Sequence, residues 1–240
     1  MALRIGVDVD GVLADFRSSF HAAAIRVLRR DVDTTNDSPQ NPGALAPQDV
    51  RRVWDYIGKT QNWWMEVEAY EPEQIARLYS LTRAAGSEVF FLTKRPPTSG
   101  DSVQFQTQWW IERLGFYLPA VLTVPGSRGD IANGLRLDLI LDDQMINCVE
   151  VVSATPTKAL LMQRTPDNAA REHAINRGIG VVSTLAEAVS MIERLHDVLP
   201  QKRGRMVRLS EWFSGTTEVQ TLPQNPRTVR PIPPFEDPRR

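Results

Sequence analysis

Residues 5–16 read IGVDVDGVLADF, an apolar run closed by two carboxylates one residue apart. Buried without partners, Asp8 and Asp10 would cost more than a short strand returns, so the pair calls for a ligand or a cation. Strand alternation sends both side chains to one side, and Gly11 permits a turn that a Cβ would hinder. Thr93 and Lys94 follow the run EVFFL, and Asp142 and Asp143 close the run DLIL. In a parallel α/β sheet the ligand crevice lies outside the carboxyl ends of the strands, so all these groups converge there. Clustered carboxylates repel unless a cation or protons intervene. Mg²⁺, a hard ion, suits a site of a few carboxylates and a substrate phosphate.

That chemistry assigns roles. With its charge offset, Asp8 can attack phosphorus and form an aspartyl-phosphate. Asp10 then protonates the leaving oxygen and later activates water, a contribution of ~10²–10⁴-fold. The metal would rest on Asp8, Asp10, Asp142 and Asp143. For the phosphate, the Thr93 hydroxyl can hold one oxygen, and Lys94 or Arg95 can supply charge. Arg128, in PGSRGDIANGL, reads as part of the loop before the Asp142 strand and can also reach the crevice. Each motif is weak alone. An acidic pair in a strand-to-loop turn more often caps backbone groups, and an Asp after a strand often opens a helix. Placement at successive strand ends is what carries the reading.

The elements that must position these groups follow from periodicity. Short apolar runs at 4–9, 88–93, 120–124, 138–143, 158–162 and 180–183 read as strands. Between them, helical spacing predicts helices near 103–115, after 143, near 167–177 and over 184–198. Strands alternating with helices give a Rossmann-like, mostly parallel sheet with helices on both faces. Residues 16–87 break this rhythm. They carry helical patterns at 16–30 (Phe16, Phe20, Ala24, Val27), around Val50–Ile57 and around Ile75–Tyr79, with a polar loop over 31–49. The expectation is an α/β core of 1–15 plus 88–199 with a small helical cap, 16–87, inserted. Residues 200–240 contain seven of the 17 prolines and read as a disordered tail.

Apolar residues are 42%, charged residues 24% and the net charge is −1, which favours neither nucleic acid nor membrane as a partner. Cys148 is the single cysteine, so no intrachain disulfide forms and a reducing compartment is expected. With no signal-like stretch and no long apolar run, the expectation is a cytoplasmic protein. The three histidines share no ligand spacing.

DVDGVLADF resembles the first motif of the haloacid dehalogenase superfamily of phosphohydrolases, in particular its 5′(3′)-deoxyribonucleotidase-like branch. FFLTKRP resembles the second motif, with Thr93 in the phosphate-binding position, and LDLILDDQMINCVE the fourth, with Asp142 and Asp143 as its acidic pair. The resemblance implies a Rossmann-like core, a helical cap, Mg²⁺ and aspartyl-phosphate chemistry. It gives the metal to Asp8, the Asp10 carbonyl and the acidic pair. The third motif is normally a lysine, and none is clear between 95 and 138. Thr107 or Gln108 stands where it would fall, and Arg128 or Lys94 is the substitute.

Trp63, Trp64, Tyr56 and Tyr70 lie in the cap region, where they pack it or stack on a nucleobase. The expected activity is therefore a Mg²⁺-dependent phosphomonoesterase acting on a small phosphorylated substrate, foremost a (deoxy)nucleoside monophosphate. The alternatives are a phosphatase for a sugar phosphate or a nucleic-acid 3′ end, and a binding protein that kept the fold without turnover. Homo-oligomerisation stays open.

Overall fold

A computed structural model describes residues 3–33, 45–124 and 126–195. The expected loop 31–49 lies partly, and the expected tail 200–240 wholly, outside them. Among the described residues six strands form one parallel sheet in the order β3-β2-β1-β4-β5-β6. They are β1 (Arg4–Asp8), β2 (Glu88–Thr93), β3 (Ala120–Thr123), β4 (Leu139–Asp142), β5 (Lys158–Met162) and β6 (Gly180–Val182). Central strands are buried on both faces, so the sequence of β1 and β4 is nearly uninterrupted apolar. Strand order reverses between β1 and β4, since the chain leaves β1 for β2 on one side and returns to β4 on the other. A ligand crevice forms at such a reversal, and Asp8 and Asp142 end its two strands.

Helices α4 (Val103–Arg113), α5 (Arg128–Gly134), α6 (Met145–Ala154) and α7 (Asn168–Ile175), and a helical run over 185–195 (α8), connect or follow the strands. Arg128 therefore opens a helix and does not lie in a loop. The sequence PGSRGDIANG is rich in loop formers, but the Ser127 side chain accepts from the Asp130 N–H and starts a helix there.

Between β1 and β2 come α1 (Phe16–Leu28), α2 (Pro47–Lys59), a 3₁₀ turn at Trp63–Met65 and α3 (Pro72–Ala85). Asp15 caps α1, accepting from Ser18 N and Oγ, and prolines open α2 and α3, where the missing N–H costs nothing. Phe16, Phe20, Trp54 and Trp64 pack together, with Phe16 and Trp54 stacked at 5.7 Å. This segment is bonded to what it packs on. Asp15 N donates to Glu68 O, Tyr70 N to Leu13 O, and the Trp110 indole to Val67 O at 2.6 Å. No helix among the described residues is long and apolar enough to cross a membrane.

Candidate active site

A cavity of about 780 Å³ opens at the carboxyl ends of the strands. Five of the seven predicted site residues line it: Asp8, Asp10, Lys94, Arg128 and Asp143. Thr93 and Asp142 are buried behind its wall. The strand-end logic thus brings the group together, but two members reach the cavity only through others.

Asp8 is nearly buried and accepts from Arg128 Nη2 at 2.5 Å. The same guanidinium donates through Nε to Asp142 Oδ2 at 3.3 Å. Arg128 is itself buried. Burial alone would weaken its proton, but Asp8 and Asp142 outweigh that and hold its pKa up. Burial, helped by the Asp142 charge, pushes the Asp8 carboxyl well above the usual range, with Arg128 pulling the other way. One cation, in other words, does not offset the negative charge here.

Asp142 is fully buried and its oxygens are fully engaged. The Gln144 N–H donates to Oδ1 at 2.8 Å, and Asn147 Nδ2 lies 3.0 Å from both oxygens. Asp143 accepts from Gln144 Nε2 at 3.0 Å. Its carboxyl is raised to about 7, by burial first and then by Asp142. Gly11, at φ +85°, lies against it, and a Cβ there would collide with the Asp143 carboxylate. Glycine at 11 thus serves both the turn and the approach of the two motifs.

Thr93 and Arg95, at and just after the end of β2, both bond the Asp10 side chain. The Thr93 hydroxyl, expected to hold a phosphate oxygen, donates to Asp10 Oδ2 at 3.2 Å. Arg95, expected to supply charge to the phosphate, turns inward and grips Asp10, with Nε at 2.9 and 3.1 Å and Nη2 at 2.9 Å. Lys94 is exposed at the cavity wall. Thr107, where the third-motif lysine would fall, accepts from Arg95 Nη1 at 3.1 Å.

Sequence reasoning also missed Asn147 and Arg164. Asn147 stands five residues after Asp142, in the first turn of α6, where it bonds back to the end of β4. Arg164 follows β5 and donates to the carbonyls of Gly11 (3.2 Å) and Val12 (2.6 Å), fixing the Asp10 turn from the far side. No local signal pointed to that contact across 152 residues. Of the aromatics, Trp64 and Tyr70 line the cavity, joined by Phe16 and Trp54; Trp63 and Tyr56 pack away from it.

The donor chemistry suits a hard divalent cation. Asp8 and Asp143 are carboxylates whose proton affinity is raised by burial and by like charge, the condition a cation relieves. They are not yet a cage. Among the described residues no group of three or more acidic, histidine or cysteine side chains is spaced to hold an ion, and Arg128 ties two of the four candidates together.

The sequence matches no family model and no curated protein. Solved structures do resemble it. A HAD family hydrolase from Deinococcus radiodurans R1, crystallised with bound phosphate and sodium, superposes with a TM-score of 0.51 at 15% identity, covering 78% of this chain and 93% of that one. A phosphonoacetaldehyde hydrolase-like protein from Oleispira antarctica gives 0.51 at 14%, covering 81% and 94%. Likeness at these identities speaks for the fold, and the fold of this chain is that of HAD-family hydrolases.

Proposed function

We propose that this chain is a Mg²⁺-dependent phosphomonoesterase whose substrate is a (deoxy)nucleoside monophosphate. The observation that carries the reading is the cavity floor, where Asp8 and Asp10 stand together with Arg128 bonded to Asp8. An Asp8 oxygen attacks phosphorus while the phosphorus–oxygen bond to the alcohol breaks. The departing oxygen takes a proton from the Asp10 carboxyl. Asp10 then accepts a proton from water, the water oxygen attacks phosphorus, and the Asp8–phosphorus bond breaks, freeing inorganic phosphate. Arg128 stands where it can stabilise charge on the phosphoryl oxygens, in the place of the missing lysine. Mg²⁺ would be held by Asp8, Asp143 and the Asp10 carbonyl, and when bound would neutralise the nucleophile and the phosphate. Asp142 serves by orienting Arg128, since its own oxygens are engaged.

Helices α1–α3 act as the cap in this reading. The nucleoside part rests on the apolar wall they provide, where the half-buried Phe16 and Trp54 line the cavity and offer aromatic surface for a base. Phosphate release from nucleoside and deoxynucleoside monophosphates and sugar phosphates, with and without Mg²⁺, tests it. Release that needs Mg²⁺, favours nucleotides and disappears in Asp8→Asn is the expected result. Preference for sugar phosphates would reassign the substrate, and binding without release would remove the catalytic reading.

A further inference from the structure

Arg95 is the most enclosed cation of the site. Its side chain is 0% exposed, while that of Asp10 keeps 24% of its surface open. The guanidinium presents its fork, Nε and Nη2, to both oxygens of Asp10 and sends its remaining edge, Nη1, to the Thr107 hydroxyl. One face lies 4.6 Å from the Trp64 ring centroid, and Trp110 stands at 5.7 Å. Trp64 is itself fixed. Its indole N–H donates to Pro96 O at 2.9 Å, and its backbone N–H to the buried Gln106 side chain at 3.2 Å. An arginine meant for substrate phosphate would direct its fork into the cavity. This one spends it on a carboxylate and has its other donor and its face occupied as well.

We propose that Arg95 is a positioning residue for the hydrolytic reaction. It holds Asp10 in the one orientation from which the carboxyl reaches the leaving oxygen, and Trp64 and Thr107 hold Arg95. This rests on the phosphomonoesterase reading. The fork and the Thr93 hydroxyl together fix the Asp10 carboxylate in rotation and in tilt, which a single point charge cannot do. Because Trp64 also lines the cavity, the surface that receives substrate and the group that orients the acid belong to one packed unit.

The test compares two leaving groups by kcat/KM, which reports the steps up to breakage of the phosphorus–oxygen bond. An alkyl phosphate, the best of the nucleotide and sugar phosphate panel, needs its oxygen protonated; p-nitrophenyl phosphate does not. Arg95→Lys is expected to lower kcat/KM on the alkyl phosphate by ~10²-fold, the usual worth of a placed acid, and on p-nitrophenyl phosphate by no more than about threefold. Thr107→Val, which leaves the fork but frees its far edge, is expected to show a smaller loss with the same bias, and it decides the matter if Arg95→Lys fails to fold. Equal losses on both substrates, or none, in a folded variant would overturn the positioning role while leaving the phosphatase intact. A wild type inactive on both would overturn the function and this inference with it.

Discussion

Asp142 and Asp143 are neighbours in sequence and opposite in circumstance. Asp142 is fully buried among donors, whereas Asp143 is half-buried with one amide partner and a carboxyl raised from 3.8 to about 7. The sign follows directly. The folded chain binds the Asp143 proton more tightly than the unfolded chain, so without a cation stability falls as pH rises from about 4 to about 7. A divalent ion should reverse this where the carboxylate is ionised. Mg²⁺ is therefore expected to raise the melting temperature clearly at pH 8 and little at pH 5, by calorimetry, and Asp143→Asn to flatten both the pH slope and the Mg²⁺ response. A Mg²⁺ shift equal at both pH values would remove Asp143 from the ligand set. Arg128 gives a second expectation. Arg128→Met leaves Asp8 and Asp142 buried without their shared cation, a loss of about 3–5 kcal/mol near neutral pH by urea unfolding. The loss should shrink toward pH 5, where the uncompensated carboxyls can protonate.

At the scale of elements, the strand ends were legible and the helix starts less so. A strand buried on both faces must be a continuous apolar run, so the polar residue that ends it stands out, and Asp8, Thr93 and Asp142 were found that way. The sequence around Arg128 reads as a loop because its neighbours are Gly, Pro, Ser and Asn; the cap that makes it the start of α5 is a single serine hydroxyl. Arg95 was legible as a charge but not in direction, because which way a guanidinium points depends on Trp64 and Thr107, both supplied by other elements. The 3₁₀ turn at Trp63–Met65 is likewise set from outside. Asn62, just before it, takes positive φ and exchanges bonds with the loop after β2: its N–H goes to Ser99 O at 2.8 Å, its amide to Asp101 Oδ2 at 2.8 Å, and its Oδ1 accepts from Asp101 N at 2.7 Å. Gly100 makes room for this, since at φ +98° a Cβ would strike the Asn62 side chain. Asn62→Ala should cost about 1–3 kcal/mol, through the two part-buried side-chain bonds it removes. Gly100→Ala should also destabilise, from the collision and the positive φ. Urea titration measures both, and because the turn carries Trp64, activity should fall with them.

Across the molecule, segments far apart in sequence are joined at one carboxylate. Glu71 opens α3, and its oxygens accept from Leu185 N at 2.8 Å, Ala186 N at 3.0 Å and Arg164 Nη1 at 3.0 Å. Arg164 lies over the Tyr70 ring, 3.7 Å from its centroid, and reaches the Gly11 and Val12 carbonyls. The inserted helices, the start of α8, the end of β5 and the turn that carries Asp10 therefore meet at Glu71 and Arg164. Long-range joints of this kind have no local sequence signature, which is why the core could be read from periodicity and its fastening could not. Burial works to raise the Glu71 pKa, but the two backbone N–H groups and Arg164 prevail and hold it below its ordinary 4.5. Glu71 thus stabilises the fold fully above about pH 4.5, and that contribution is lost as pH falls through the lower, folded value. Glu71→Gln should remove about 1–3 kcal/mol at pH 7, the worth of hydrogen bonds to a charged group. It should also make the acid limb of the stability curve shallower below pH 4.5. Arg164→Met separates fastening from chemistry. It frees the Gly11–Val12 turn, so turnover should drop further than the loss of stability explains, measured as phosphate release well below the melting temperature. Turnover unchanged in a folded Arg164→Met would mean that the Asp10 turn holds its shape from Gly11 and the Thr93 side alone.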